Sequence, residues 1–468
     1  MPVIFITDGL IFFLIVMIIA FGLYARKHEH LCAPWRQVGK NKLAMSASVV
    51  LLFYVLTGLL DSLHFYPRLK NDHSTSGEVR YSTEIISVFD LLVNRLRENN
   101  ERTYSAPFAT HAYAKEILEQ PGGNIIRGYP RLMYGGAHLE RPDQQKNIDI
   151  FIKTLTGILI GMIVWLVFSA VILAFLACNR KEHFINVFRD TLNKRSKLPW
   201  HIILLTLGVL VLIISTLAYL SNYYHVFGTD KVGQDVLYQS LKSIRTGLLI
   251  GTLTTLVMLP FAIAMGIMAG YFRGWVDDAI QYIYTTLSSI PGVLLIAASI
   301  LMLEVYMANN AESFTSTAHR ADMRLLFLCL ILGIMSWTGL CRLLRGEALK
   351  LREIDYVQAA YAFGVSHTTI IMRHLLPNVM HIVMISIVID FSGLVLAEAV
   401  LAYINIGVDP TMISWGNMIN NARLEMAREP VVWWSLSAAF IFMLGLVLSA
   451  NLFADAVRDA FDPRIREL

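Results

Sequence analysis

Two carboxylates, Asp390 and Glu398, sit inside an apolar run at 378–404. A charge in lipid is expensive, so such groups normally face protein, water or a partner charge, and they could meet a cation or an amino terminus crossing the bilayer. Both are candidate pathway residues, with a structural role as the competing reading: a carboxylate bonded to backbone or to a neighbouring helix. Other chemistry is thinly supplied. The only Gly-Lys pair, Gly39-Lys40, is followed by Asn41 where a phosphate loop needs Ser or Thr, so this chain should not hydrolyse ATP. His28, His30, His64, His73, His111 and His138 form no compact set with Cys or carboxylates at zinc-like spacing, which favours surface histidines over a metal site. Cys32, Cys178, Cys329 and Cys341 all avoid the long 61–150 segment, and no disulfide is expected.

A different kind of work is suggested between Asp355 and Pro377. Tyr356, Ala359, Ala360 and Phe363 recur at i, i+3, i+4 and i+7, giving a short helix an apolar face with two small residues at its centre. Such a face fits a cleft. Gly364 then permits a left-handed helix end, Ser366 caps a second short helix through Ile370 and Leu375, and Pro377 suits the first turn of the next apolar run. The expected order is helix, turn, helix, membrane. A rigid elbow of that kind transmits displacement, whereas a flexible polar loop absorbs it. Periodicity alone fits an amphipathic elbow lying on the lipid surface equally well.

The elements that position these residues are membrane spans. The chain is 56% hydrophobic and 16% charged with a mean hydropathy of +0.55, too apolar for a soluble protein that needs a hydrated surface. Apolar runs near 9–25, 43–60, 151–177, 200–221, 243–270, 280–303, 325–343, 378–404 and 431–453 approach or exceed the roughly 20 residues that cross a bilayer, which predicts nine spans. The first run lacks a preceding basic residue and a small-residue cleavage site at Tyr24-Ala25-Arg26, so it reads as a retained helix rather than a signal peptide.

Basic residues set the orientation. Arg26, Lys27, Arg36, Lys40 and Lys42 mark one cytoplasmic loop, and Arg180, Lys181, Arg189, Lys194, Arg195 and Lys197 mark another. The N-terminus, the 61–150 segment and 222–242 then lie outside, while the 344–377 loop and the C-terminus, with Arg458, Arg464 and Arg466, lie inside. The 61–150 segment is basic too, but long segments translocate largely regardless of charge. The net charge of +4 is accounted for by topology and gives no reason to invoke nucleic acid.

Within the external segment, Ile85, Val88, Phe89, Leu92 and Leu96 predict an amphipathic helix capped at Ser82 or Thr83, with Glu84 in its first turn. A second helical stretch is expected from His111 to Glu119, and turns from Pro121 to Gly136. This small domain either pads the outer face or docks a binding protein, and no chemical motif in it decides between the two. Gly247 with Gly251 and Gly266 with Gly270 predict close helix packing, and Pro260 a kink. Trp415, Trp433 and Trp434 near one boundary, and Trp200 and Trp275 near the other, read as interfacial anchors.

At this point the sequence resembles a known family. Gln358-Ala359-Ala360, Gly364 and Leu376-Pro377 are similar to the coupling motif of bacterial ABC importer permeases, Glu-Ala-Ala, then Gly, then Leu-Pro, with Gln358 replacing the Glu and His374 standing where many members have Ile. The likeness to C-type transmembrane subunits of the oligopeptide, dipeptide and nickel permease family runs in order along residues 228–468. It includes Gly228-Thr229-Asp230 with Gly233 and Asp235, AGYFRGWVD from Ala269, IPGVLLIA from Ile290, DYVQAAYAFGVS from Asp355, RHLLPN from Arg373, LAEAVLAYINIGV from Leu396, SWGNM from Ser414 and NLFADAVRDAFDPRIR from Asn451. Members usually have one span before the Gly-Thr-Asp motif, and this chain has four.

The resemblance implies a second permease of similar fold, two cytoplasmic ATPase subunits that bind ATP and Mg, an external substrate-binding protein, and an elbow seated in an ATPase groove through Tyr356, Gln358, Ala359, Ala360, Phe363, Gly364, Leu376 and Pro377. The resulting reading is an all-α polytopic protein of the inner membrane. Residues 1–199 form an N-terminal extension of three helices with an external insertion, and 200–468 form a six-helix permease core. Its cargo would be peptides or similar small solutes. An ion-coupled secondary carrier using Asp390 and Glu398, or a membrane scaffold, are the alternatives.

Overall fold

The structure, a computed structural model, describes residues 2–27, 29–68, 81–119, 125–192, 198–314 and 316–461. His28, His73, Lys194, Arg195, Lys197, Arg464 and Arg466, used above, lie outside the described residues. In chain order, β1 (Pro2–Val3) precedes α1 (Ile6–Ala25), α2 (Glu29–Val38) and α3 (Lys42–Asp61). The next segment holds β2 (His64–Phe65), β3 (Ile86–Ser87), α4 (Val88–Leu92), α5 (Asn94–Glu98) and an antiparallel hairpin of β4 (Glu116–Glu119) and β5 (Ile125–Gly128). Then come α6 (Pro142–Arg180), α7 (Phe184–Leu192), α8 (Trp200–Leu220), α9 (Val236–Phe272), α10 (Trp275–Ser289), α11 (Gly292–Asn309) and α12 (Thr317–Arg352). The chain finishes with α13 (Asp355–Ala362), α14 (His367–Ile370), a π-helical turn (Ile371–Leu375), α15 (Leu376–Tyr403), α16 (Trp415–Glu425) and α17 (Trp434–Phe461).

The fold is that of an all-α polytopic membrane protein. Among the described residues eight helices are long and apolar enough to cross a membrane, and a shorter apolar stretch, Ile6–Ala20 within α1, accounts for the ninth expected run. The run at 280–303 is not one helix: Pro291 holds Ile290 in extended backbone, so α10 ends at Ser289 and α11 restarts at Gly292. The 344–377 loop also shrinks, because α12 continues as helix to Arg352.

The external segment departs further from its expected elements. Ser82 caps no helix. The cap is Ser87, whose hydroxyl accepts from Asp90 N–H while Asp90 accepts from Ser87 N–H, and the chain before it runs as strand. Phe89 and Leu96 are buried, but Leu92 is exposed, the helix breaks at Val93 into α4 and α5, and a strand pairing with β2 takes Ile86 and Ser87. No helix forms from His111 to Glu119; β4 occupies its end and pairs with β5, inside the stretch expected to be turns. Cross-strand pairing here overrides a short, weakly periodic signal.

The chain packs as two compact units, each assembled from distant pieces. One comprises Met1–Val3, Val38–Thr246 and Ile413–Ser449, the other Ile4–Gln37, Gly247–Met412 and Ala450–Leu468. In the first unit, α6 and α8 form a long pair, with Trp165 Nε1 donating to Leu204 O at 2.9 Å and Ser215 Oγ to Gly157 O at 3.2 Å. In the second, α1 joins α12. The carboxylate of buried Asp322 accepts from Ile6 N at 3.1 Å and from the Thr7 hydroxyl, capping the first turn of α1.

Candidate functional site

The elbow belongs to the second unit and is built on a buried base. Val357 of α13, Ile370, Leu375 of the π turn and Val379 of α15 are all 2% exposed or less, in one core with Leu344, Ala348 and Leu351 of α12 and Ile267 of α9. Helices α9 and α12 meet closely there. A Cβ on Gly270 would come within 2.6 Å of Ala348 Cβ and 2.7 Å of Arg345 O, so only glycine allows this approach.

Above that base, α13 ends in a Schellman motif. Gly364 takes φ +77°, Gly364 N donates to Tyr361 O at 3.0 Å, and Val365 N reaches Ala360 O at 3.1 Å. Ser366 then caps α14, accepting from Thr369 N at 3.4 Å. From His367 to Tyr403 the helix is unbroken, so the second arm of the elbow and the span are one rod rather than two pieces. The widened π turn lies immediately before Pro377, whose ring would press on the carbonyl four residues earlier in a regular α-helix.

Of the face noticed in the sequence, Tyr356, Ala359 and Phe363 point away from this base, while Ala360 packs against it. Phe363 is 87% exposed, Tyr361 65% and Tyr356 44%; Ala359 and Gln358 are exposed and Ala360 is half-buried against the core. Polar ties fix its posture. Gln358 Nε2 donates to Glu353 O at 3.2 Å, the ordering contact available to an amide at the position where the motif has Glu, and Glu353 pairs with Arg273. Asn378 Nδ2 donates to Tyr356 Oη at 2.9 Å, and the His374 ring lies 5.8 Å from that of Tyr356, so the residue that departs from the motif buttresses α13. Tyr271 Oη and His367 Nδ1 are 2.8 Å apart. Arg352 donates to Tyr271 O at 2.8 Å. A cleft of about 460 Å³ lined by Tyr271, Phe272, Arg352, Val357, Tyr361 and His367 separates α13 from the end of α9.

The turn between α9 and α10 completes this side. Arg273 and Gly274 both take positive φ, and Asp277 grips Arg345 of α12 through two bonds of 2.6 and 2.8 Å. Those bonds hold the Asp277 carboxyl below its ordinary pKa against the opposing effect of burial. Of the two membrane carboxylates, Glu398 is buried at 3% exposure and Asp390 is half-buried on the same helix.

The sequence that builds this exposed aromatic tip on a buried base has relatives. The profile described as binding-protein-dependent transport system inner membrane component matches residues 262–467. An oligopeptide transport system permease protein of Mycobacterium tuberculosis is 32% identical over 244 residues, covering 52% of this chain and 77% of that protein. The chain belongs to the binding-protein-dependent transport permeases. Other relatives are a glutathione transport system permease protein of Pectobacterium atrosepticum, 31% identical over 52% of this chain and 73% of its own length, and a dipeptide transport system permease protein of Lactococcus lactis, 31% identical over 52% and 65%. As a member of this family the chain is a multi-pass membrane transport subunit working within a system of several subunits.

In the first unit of this permease, sequence reasoning missed a buried charged network. His225 Nδ1 lies 2.7 Å from Asp235 and Nε2 lies 3.4 Å from Glu101, with Glu101 also accepting from Met133, Tyr134 and Gly135 N–H. Burial alone would lower the His225 pKa, but the two carboxylates raise it to about 9. Burial would likewise raise Glu101, but His225 and the three N–H groups bring it down to about 2. Alongside, Lys242 Nζ reaches Asp90 at 2.6 Å and Asp61 at 3.4 Å.

These contacts seat the 61–150 insertion on the Gly-Thr-Asp loop. Thr229 Oγ1 accepts from Ser105 N at 2.7 Å, and Glu101 N donates to Gly233 O at 2.9 Å. Asp235, quoted in the family motif, was the one available signal; its partner His225 lies ten residues before it, while Glu101 comes from far along the chain. Trp415 and Trp434, expected at the interface, are 1% exposed and donate to Ser240 O and Thr229 O, whereas Trp275 is 80% exposed. An indole whose N–H finds a carbonyl is stable in a core.

Proposed function

We propose that this permease forms half of an ATP-driven import pathway for peptides or similar small solutes. Its partners are a second permease of similar fold, two cytoplasmic ATPase subunits that bind ATP and Mg and hydrolyse the ATP, and an external binding protein that delivers cargo. The observation that carries the coupling role is the elbow itself: Phe363, Tyr361 and Tyr356 project from a helix whose underside is locked into the core, and the elbow continues without a break into α15. A groove closing on that tip moves a whole spanning helix. Tyr356, Gln358, Ala359, Ala360, Phe363 and Gly364 form the contact, and Leu376 and Pro377 transfer it.

The cargo class rests on the oligopeptide, dipeptide and glutathione names of the relatives. Asp390 and Glu398 are the proposed polar points on the route, Asp390 being the more accessible. The membrane is the bacterial inner membrane, with the N-terminus outside and the elbow and C-terminus in the cytoplasm, as the basic loops require. Pull-down of the tagged chain from its own membranes tests the assembly. Two ATPase subunits should co-purify, with ATP hydrolysis stimulated by cargo-loaded binding protein; a chain that purifies without ATPase and transports on an ion gradient would sink the proposal.

A further inference from the structure

Helix α7 lies outside the region matched by the family profile, and the basic residues around it have served above only as topology signals. It follows the spanning helix α6 across a sharp turn: Lys181 takes φ 55°, and Glu182 N closes back on Ala177 O at 3.1 Å. One stripe of α7 is fixed in place, since Val187, 1% exposed, packs with Leu173 and Ala177 of α6 and Leu204 of α8. The adjoining face carries Phe184, Ile185 and Phe188 at 44, 73 and 47% exposure, with Asn186 and Asp190 on the opposite side. Three large apolar side chains are thus held beside the ends of two membrane-spanning helices.

Charge supplies the second argument. Arg180, Lys181 and Arg189 are exposed around this helix, Lys194, Arg195 and Lys197 follow in the sequence, and only Glu182 and Asp190 oppose them. A basic amphipathic helix tied to spanning segments has lipid as its immediate neighbour, and cations at that depth meet headgroup phosphates. We infer that α7 is an interfacial helix that inserts Phe184, Ile185 and Phe188 into the bilayer boundary and recruits anionic lipid through Arg180, Lys181 and Arg189. The permease would thereby carry its own annulus of acidic lipid beside the extra helices α6 and α8.

The test uses the full chain in nanodiscs of phosphatidylcholine, with or without phosphatidylglycerol. Its native cysteines are replaced by Ser, and an environment-sensitive fluorophore is placed at Ile185→Cys or, as control, Asn186→Cys. The label at 185 should report an apolar setting quenched by nitroxide lipid, while that at 186 stays aqueous. Nitroxide phosphatidylglycerol should quench more strongly than nitroxide phosphatidylcholine, with the preference falling about five-fold per cation neutralised in Arg180→Gln, Lys181→Gln and Arg189→Gln. Equal hydration at 185 and 186, or an apolar label that no lipid quencher reaches, overturns the insertion; equal quenching by the two lipids overturns the anionic preference.

Discussion

Gly364 allows the coupling argument to be tested by geometry alone. Nothing lies within 4 Å of a Cβ built there, so substitution meets no clash, and only the backbone angle, φ +77°, is at stake. For an L residue that region costs about 1–2 kcal/mol, of which the stiffer unfolded chain of alanine returns about 0.4–1 kcal/mol. Gly364→Ala should therefore destabilise the elbow by about 1 kcal/mol, and Gly364→Asn by less, since Asn tolerates the left-handed region. Gly364→Pro is different in kind: φ is locked near −65° and the bond from Gly364 N to Tyr361 O is lost, worth about 1 kcal/mol by itself, so the Schellman closure cannot form. Ala360 and Val365 pack on the buried base from either side of that closure, so the Pro variant is scored in membranes where insertion and assembly are retained. In proteoliposomes containing the assembled transporter, uptake per ATP hydrolysed should rank glycine and Asn first, Ala slightly lower and Pro near zero. A Pro variant that inserts, assembles and imports at the normal ratio would refute the claim that elbow shape carries coupling.

Three further outcomes follow from the geometry. Asp277→Asn removes one partner of a bidentate pair and should cost about 2 kcal/mol, visible as a lower unfolding temperature in detergent; Arg345→Met with Asp277→Asn together should recover part of that loss. Gly270→Leu should disrupt the contact of α9 with α12 by several kcal/mol and abolish stable insertion, judged by protease resistance in membranes. The seat of the insertion should depend on pH. Because folding raises the His225 pKa to about 9, its contribution is complete below the ordinary imidazole value near 6.5 and fades as pH rises through about 9; the depressed Glu101 loses its share only as pH falls toward about 2. Protection factors of the Met133, Tyr134 and Gly135 amides, corrected for the intrinsic pH dependence of exchange, should fall on the alkaline side, and His225→Gln should remove that fall.

What was legible in the sequence is what local pattern encodes. Long apolar runs gave the spans, and the small-residue face, Gly364, Ser366 and Pro377 gave the elbow with its turn and cap, because each signal spans only a few residues. The break at Ile290-Pro291 was also local, but an apolar run conceals it. The network of His225, Asp235 and Glu101 was out of reach, since His225 and Asp235 meet across an irregular loop and Glu101 comes from far along the chain, and neither pairing leaves a periodic trace. The same holds for Trp415 and Trp434, whose burial depends on carbonyls supplied by distant segments. The strand that displaced the expected helix near Ile85 formed only because β2 offered it a partner.

The central claim, that an ATPase grips this permease at the elbow, is tested most directly by Phe363→Ala in the reconstituted transporter. Phe363 is 87% exposed, so its removal should leave folding intact. Losing a large aromatic anchor from an interface commonly costs 2 kcal/mol or more, about thirty-fold in binding. The account predicts an unchanged unfolding temperature, weakened retention of the ATPase subunits and import reduced to a similar degree. Full ATPase retention and normal ATP-driven import by Phe363→Ala would contradict it.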